Sequence, residues 1–126
     1  MKTILTAAAT LIALSAPAFA EGDAAKGEKE FKRCKACHTI DEGGANKTGP
    51  NLYGVVGRAP GVVAEFGYSS DLLAYAENNP DAVWDAETLA AYIPNPSEFI
   101  GGKSKMTAQR VKKMEDLIAY LDSVDN

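Results

Sequence analysis

Wherever the apolar positions of this chain are regular, their spacing is helical. Asp23 can cap a first helix in which Ala24, Gly27, Phe31 and Cys34 share one face by three-and-four spacing. Near the C-terminus Val111, Met114, Ile118 and Leu121 repeat that spacing and Leu117 widens the stripe, which predicts a helix from about Thr107 to Ser123. Gly27 costs helix propensity, so its place inside the first helix predicts close approach of another backbone, with Leu117 and Tyr120 facing Gly27 and Phe31. Between these two, Ser70 or Asp71 can open a short helix closed by Asn78-Asn79-Pro80, and Asp85 another that stops before Pro94 and Pro96. Gly43-Gly44, Gly49-Pro50 and the stretch from Gly54 to Gly61 read as loops, and no alternating run is long enough for a strand. The expectation is one all-α domain whose N- and C-terminal helices cross, with no internal repeat.

The first twenty residues follow a different pattern. Lys2 precedes an apolar run from Ile4 to Leu14, and Ala18-Phe19-Ala20 forms an A-x-A site before Glu21. Residues 1–20 are therefore expected to be a cleaved signal peptide and residues 21–126 the folded domain, exported to the periplasm. The apolar run falls well short of the about 20 residues that cross a bilayer, and no later stretch is longer. Composition adds two limits. With 46% hydrophobic and 24% charged residues among 126, the chain has the make-up of a small globular domain. A net charge of −4, one unit more negative without Lys2, argues against a polybasic surface for nucleic acid.

Export places the only two cysteines in an oxidising compartment, where a disulfide is the default. Their spacing points elsewhere, because Cys34-Lys35-Ala36-Cys37-His38 is the C-x-x-C-H pattern of covalent haem attachment. Each thiol can add to one vinyl group, and the adjacent imidazole can reach the iron. A thioredoxin-like pair would want a βαβ context, a structural zinc site four ligands, and a blue-copper site two histidines, whereas His38 is the only histidine. With His38 on iron, the sixth position falls to Met, Lys, water or nothing, and Met raises the potential for electron transfer. Met114 sits in the apolar stripe and reads as core; Met106 follows the polar loop Gly101-Gly102-Lys103-Ser104-Lys105 and reads as the ligand. Two other classes stay open: a haem protein with an open sixth site that binds small ligands or acts as a peroxidase, and an exported disulfide-exchange pair without haem.

Together these residues resemble the class I soluble c-type cytochromes, in the bacterial cytochrome c2 type that is similar to mitochondrial cytochrome c. The resemblance runs through Gly22-Asp23, Gly27, Phe31, the C-x-x-C-H segment, the stretch from Lys47 to Arg58, Phe66-Gly67-Tyr68, Trp84, Leu89-x-x-Tyr92, Asn95-Pro96, Lys105-Met106 and the stretch from Glu115 to Leu121. It implies a small cytochrome c fold wrapped around one covalent haem c per chain, and a one-electron carrier rather than an enzyme. It further implies that the Pro50 carbonyl accepts the second ring proton of His38. By the same resemblance Arg58, Tyr68 and Trp84 hydrogen-bond a haem propionate, Tyr92 lies near the ligand sulfur, and Ser104 reaches the second propionate. The implied donor is a membrane cytochrome bc complex, the implied acceptor a terminal oxidase or photosynthetic reaction centre, and the protein a monomer. Ala108 departs from the pattern, standing where the family commonly places an aromatic.

Charge is unevenly distributed along the sequence. Lys26, Lys29, Lys32, Arg33 and Lys35 crowd the approach to the haem motif, and Lys103, Lys105, Arg110, Lys112 and Lys113 surround Met106. Between Arg58 and Lys103 lie Glu65, Asp71, Glu77, Asp81, Asp85, Glu87 and Glu98 with no base among them. A dipolar molecule is expected, its positive end at the haem opening.

Overall fold

A computed structural model describes residues 22–125, so the expected signal segment lies outside the described residues. Five α-helices and one 3-10 helix account for the regular structure, with no strand among the described residues. Helix α1 spans Ala24–Glu30, and the Asp23 carboxylate accepts from the backbone N–H groups of Ala25 and Lys26, satisfying donors that the first turn leaves unpaired. The α-helix does not continue to Cys34 as the spacing predicted. At Phe31 it tightens into a 3-10 helix, Phe31–Ala36, which carries Cys34 toward the core while Phe31 itself is fully buried.

Helix α5 spans Met114–Ser123, about two fifths shorter than predicted. Residues 107–111 are irregular, although Val111 still packs against the core at the position that mimicked helical spacing. The start of α5 has an electrostatic reason. Arg110, Lys112 and Lys113 would crowd the positive end of the helix macrodipole, whereas Glu115 and Asp116 occupy the first turn of the helix that forms.

Helices α1 and α5 cross at Gly27. A Cβ there would lie 1.9 Å from the Asp116 carbonyl oxygen and 2.7 Å from Tyr120 Cβ, so only glycine admits the approach. Around the crossing the Phe31 and Tyr120 rings pack with centroids 5.4 Å apart, and Leu117 is buried. The buried Asp116 carboxylate accepts from the Asp23 backbone N–H at 2.8 Å, which ties the start of α1 to α5 without leaving a buried oxygen unpaired.

Helix α2, Ser70–Asn78, is capped by the Ser69 hydroxyl, one residue before the predicted start. Helix α3, Ala86–Tyr92, begins at Asp85 with a reciprocal bond between Asp85 and Thr88, and that bonding holds the Asp85 carboxyl below its ordinary pKa. A further short helix, α4 at Pro96–Ile100, was not predicted. Pro94 and Pro96 read only as stops, yet Asn95 caps α4 and Pro96 occupies its first turn, where no N–H is needed. Helices α3 and α4 bring Trp84, Tyr92 and Phe99 into one aromatic cluster, with Trp84 and Tyr92 centroids 4.7 Å apart.

Candidate functional site

Between the α1/α5 pair and the α2–α4 group lies a cavity of about 360 Å³. Its first wall is the 3-10 helix and the turn after it, which contribute Cys34, Cys37 and His38. The irregular segment after α4 adds Ser104, Lys105, Met106 and Thr107 to the lining. Leu52, Val55, Leu72, Leu89, Ile93 and Leu121 supply an apolar floor. Arg58, Tyr68, Trp84 and Tyr92 line it as well. Pairs far apart in sequence thus meet in one space, Cys34 and Met106 among them.

His38 is held on two sides. Its Nδ1 lies 2.7 Å from the Pro50 carbonyl oxygen, and a Cβ at Gly49 would sit 2.3 Å from its Cε1, so the ring packs flat against bare backbone. With Nδ1–H donating to that carbonyl, Nε2 is the remaining nitrogen and has no partner among the described residues. Burial lowers the His38 pKa; the Pro50 bond acts against that shift and the nearby Arg58 charge adds to it. The imidazole is therefore neutral near pH 7, the form that binds a metal. The loop carrying Pro50 is stapled to the attachment segment by backbone bonds from Gly49 to Cys37 and from Leu52 to Thr39. Asn51, which no motif singled out for this task, bonds Thr39 Oγ1 and the Asp41 carbonyl.

Cys34 and Cys37 are both free thiols. Burial pushes the Cys34 thiol up to about 11, against the opposing effect of Arg33. Such a thiol stays protonated at neutral pH, the opposite of the low-pKa thiolate that disulfide exchange requires. The exchange reading loses its chemical basis at that position.

The polar side chains around the cavity have donors to spare. Arg58 uses only Nη1 on the protein, donating to the carbonyls of Asn51 and Tyr53, and burial lowers its pKa. Trp84 is 8% exposed, yet its indole N–H donates to no acceptor among the described residues. A buried tryptophan normally finds such a partner, so these two residues suit an anionic group inside the cavity. The Tyr68 hydroxyl accepts from the Val63 N–H at 3.0 Å and keeps its own proton to donate. Tyr92 and Ser104 hydroxyls lie 3.1 Å apart, and Ser104 Oγ also accepts from the Met106 N–H at 3.1 Å. Ser104 thereby links Tyr92 to the backbone of Met106. Ala108 is exposed and does not line the cavity.

Paired thiols, a neutral imidazole, a thioether in the same cavity and free donors for carboxylates fit a covalently held haem, and the apolar floor fits its ring. The comparisons with known proteins agree. The family model described as Cytochrome c matches residues 24–125. Cytochrome c-550 of Paracoccus versutus is 43% identical, over 96% of this chain and 88% of that protein. Cytochrome c2 of Rhodobacter capsulatus is 45% identical, over 98% of each. Among solved structures, ferric cytochrome c-550 of Paracoccus versutus gives a TM-score of 0.77 at 43% identity, covering 84% of this chain and 100% of that one. Rhodobacter capsulatus cytochrome c2 gives 0.73 at 42%, covering 83% and 100%. Agreement in sequence and backbone over nearly the whole length is family membership: the chain belongs to the cytochrome c family, in its class I bacterial cytochrome c2 type, and is an electron carrier with one covalently attached haem c.

Proposed function

We propose that the chain is a periplasmic one-electron shuttle in which Cys34 and Cys37 hold the haem as thioethers and His38 and Met106 are the axial ligands. The observation that carries this reading is that Cys34, Cys37 and His38 line a single cavity with Met106, far from them in sequence. Bound haem supplies a one-electron iron couple. The chain's own part is to keep that couple free of bond rearrangement. Pro50 and Gly49 fix the orientation of His38, while Ser104 holds the backbone at Met106 and Tyr92 braces Ser104. Arg58, Tyr68 and Trp84 offer donors for a buried propionate, which removes the penalty for an unpaired charge in the core. Such a site transfers electrons without turning over a substrate.

Absorption spectra of the oxidised and reduced holoprotein test the ligand set. Low-spin bands with a sulfur-to-iron charge-transfer feature are expected, and Met106→Ala should abolish that feature. A high-spin spectrum from the parent would instead favour the open-site reading.

The mature chain is proposed to act as a monomer, accepting electrons from a membrane cytochrome bc complex and passing them to a terminal oxidase or a photosynthetic reaction centre. No helix of the described residues is long and apolar enough to cross a membrane, which is compatible with a diffusing carrier. All ten basic residues flanking the haem motif and Met106 are exposed, and so are the seven acids between Arg58 and Lys103. Arg33 and Lys105 from the basic group also line the cavity. This arrangement supports docking of the positive rim on acidic partner surfaces. Raising ionic strength from about 0.01 M to about 0.3 M should slow bimolecular electron transfer roughly tenfold or more, as the screening length contracts. Stopped-flow rates across a salt series measure this, and flat rates would remove electrostatic docking from the proposal.

A further inference from the structure

The segment of residues 103–113 carries Met106 and contains no helix. Among the described residues one backbone–backbone bond ties residues 103–112 to the body, from the Gln109 N–H to the Ile93 carbonyl at 3.0 Å. The other attachments involve side chains. At its start, the Lys103 N–H donates to Asp71 and the Ser104 N–H to Ser97 Oγ, while Lys105 Nζ donates to the Gly67 carbonyl. Their partners lie on α2, on α4 and on the loop before α2. One hydrogen bond runs the other way: Arg33, next to Cys34, donates from Nη1 to the carbonyl of Arg110. It joins residues 77 apart in sequence, and Arg33 itself lines the cavity.

We propose that Arg33 is a positioning residue of the haem site, a latch that closes the Met106 segment onto the wall bearing Cys34, Cys37 and His38. The proposal rests on the reading of Met106 as the sixth ligand. Arg33 does not touch the ligand atom; it acts through the Arg110 backbone. A guanidinium suits this role because its planar, permanently charged head presents several donors to one carbonyl. Without the latch, the segment beyond Gln109 has no hydrogen bond to the attachment wall among the described residues, and Met106 leaves the iron more often.

The test uses ferric holoprotein and imidazole, a neutral probe that enters only when the thioether departs. Arg33→Gln should speed imidazole binding about fivefold or more, the effect of losing one charge-assisted hydrogen bond at an exposed site. Amide hydrogen exchange at Gln109 should quicken in the same variant, because among the described residues its bond to Ile93 is then the one hydrogen bond tying residues 106–112 to the body. Lys32→Gln removes an equal charge from a neighbouring exposed side chain with no hydrogen bond among the described residues, and should bind imidazole at the parental rate. An unchanged rate in Arg33→Gln, or an equal acceleration in Lys32→Gln, would overturn the latch. The sulfur-to-iron band of the parent separates the two readings. If it is present, a negative result removes the latch alone; if it is absent, Met106 ligation and the latch fail together.

Discussion

The Cys34→Ala, Cys37→Ala double variant, prepared without haem, should show only a weak helical signal in far-ultraviolet circular dichroism. At roughly 24 cal/mol per Å³ of unfilled core, a cavity of about 360 Å³ carries a penalty of about 9 kcal/mol. That is as large as the whole stability of a typical domain, about 5–15 kcal/mol. The helices offer little compensation, since none among the described residues exceeds ten residues and isolated helices of that length are marginal in water. Their apolar faces meet largely around the cavity: Leu72 of α2, Leu89 of α3, and Leu117 and Leu121 of α5 all line it. The cofactor is thus a structural part of the core as well as the redox centre. A native-like spectrum from the haem-free variant would refute this.

Gly27→Ala is expected to destabilise the holoprotein by about 3 kcal/mol, the upper end of the range for overpacking. Two effects compete. Alanine improves helix propensity by about 1 kcal/mol, but its Cβ would lie 1.9 Å from the Asp116 carbonyl oxygen. The obstacle is backbone and cannot rotate away, so α1 and α5 must separate. Separation loosens the Phe31–Tyr120 contact and the buried Leu117 together. At about 5 °C per kcal/mol for a domain of this size, the thermal midpoint should fall by about 15 °C. An unchanged midpoint in a melt would show that the crossing has slack the structure does not display.

Local signals in the sequence were read well where one short stretch carries the whole physical reason. Asp23 and Asp85 announce helix starts because a carboxylate next to unpaired N–H groups needs no tertiary context. Gly27 announced a close crossing by its helix cost, and the structure places Tyr120 against it and against Phe31. Readings failed where two rules competed. Val111 continued the apolar period of α5, but the charge sequence Arg110, Lys112, Lys113, Glu115, Asp116 marked the true start more faithfully. Pro94 and Pro96 together read as a stop, although an Asn-Pro pair followed by Gly101 also describes a short capped helix. At the site, the C-x-x-C-H segment and Gly49-Pro50 were legible because their contacts are near in sequence. The carbonyl partners of Arg33, Lys47 and Lys105 were not. A cationic side chain donating to a distant backbone oxygen leaves no periodic or compositional trace.

The pairing of α1 with α5 also constrains the order of events in the life of the chain. Gly27 and Asp116 stand far apart in the sequence, and the Asp23 N–H finds its acceptor 93 residues away. The ribosome therefore releases α1 long before the surface it needs exists. Contacts of such long range close late and slowly, so a nascent chain lacking its last helix cannot complete its core. The polypeptide stays open until α5 has been made, with the thiols of Cys34 and Cys37 accessible in an unfinished fold.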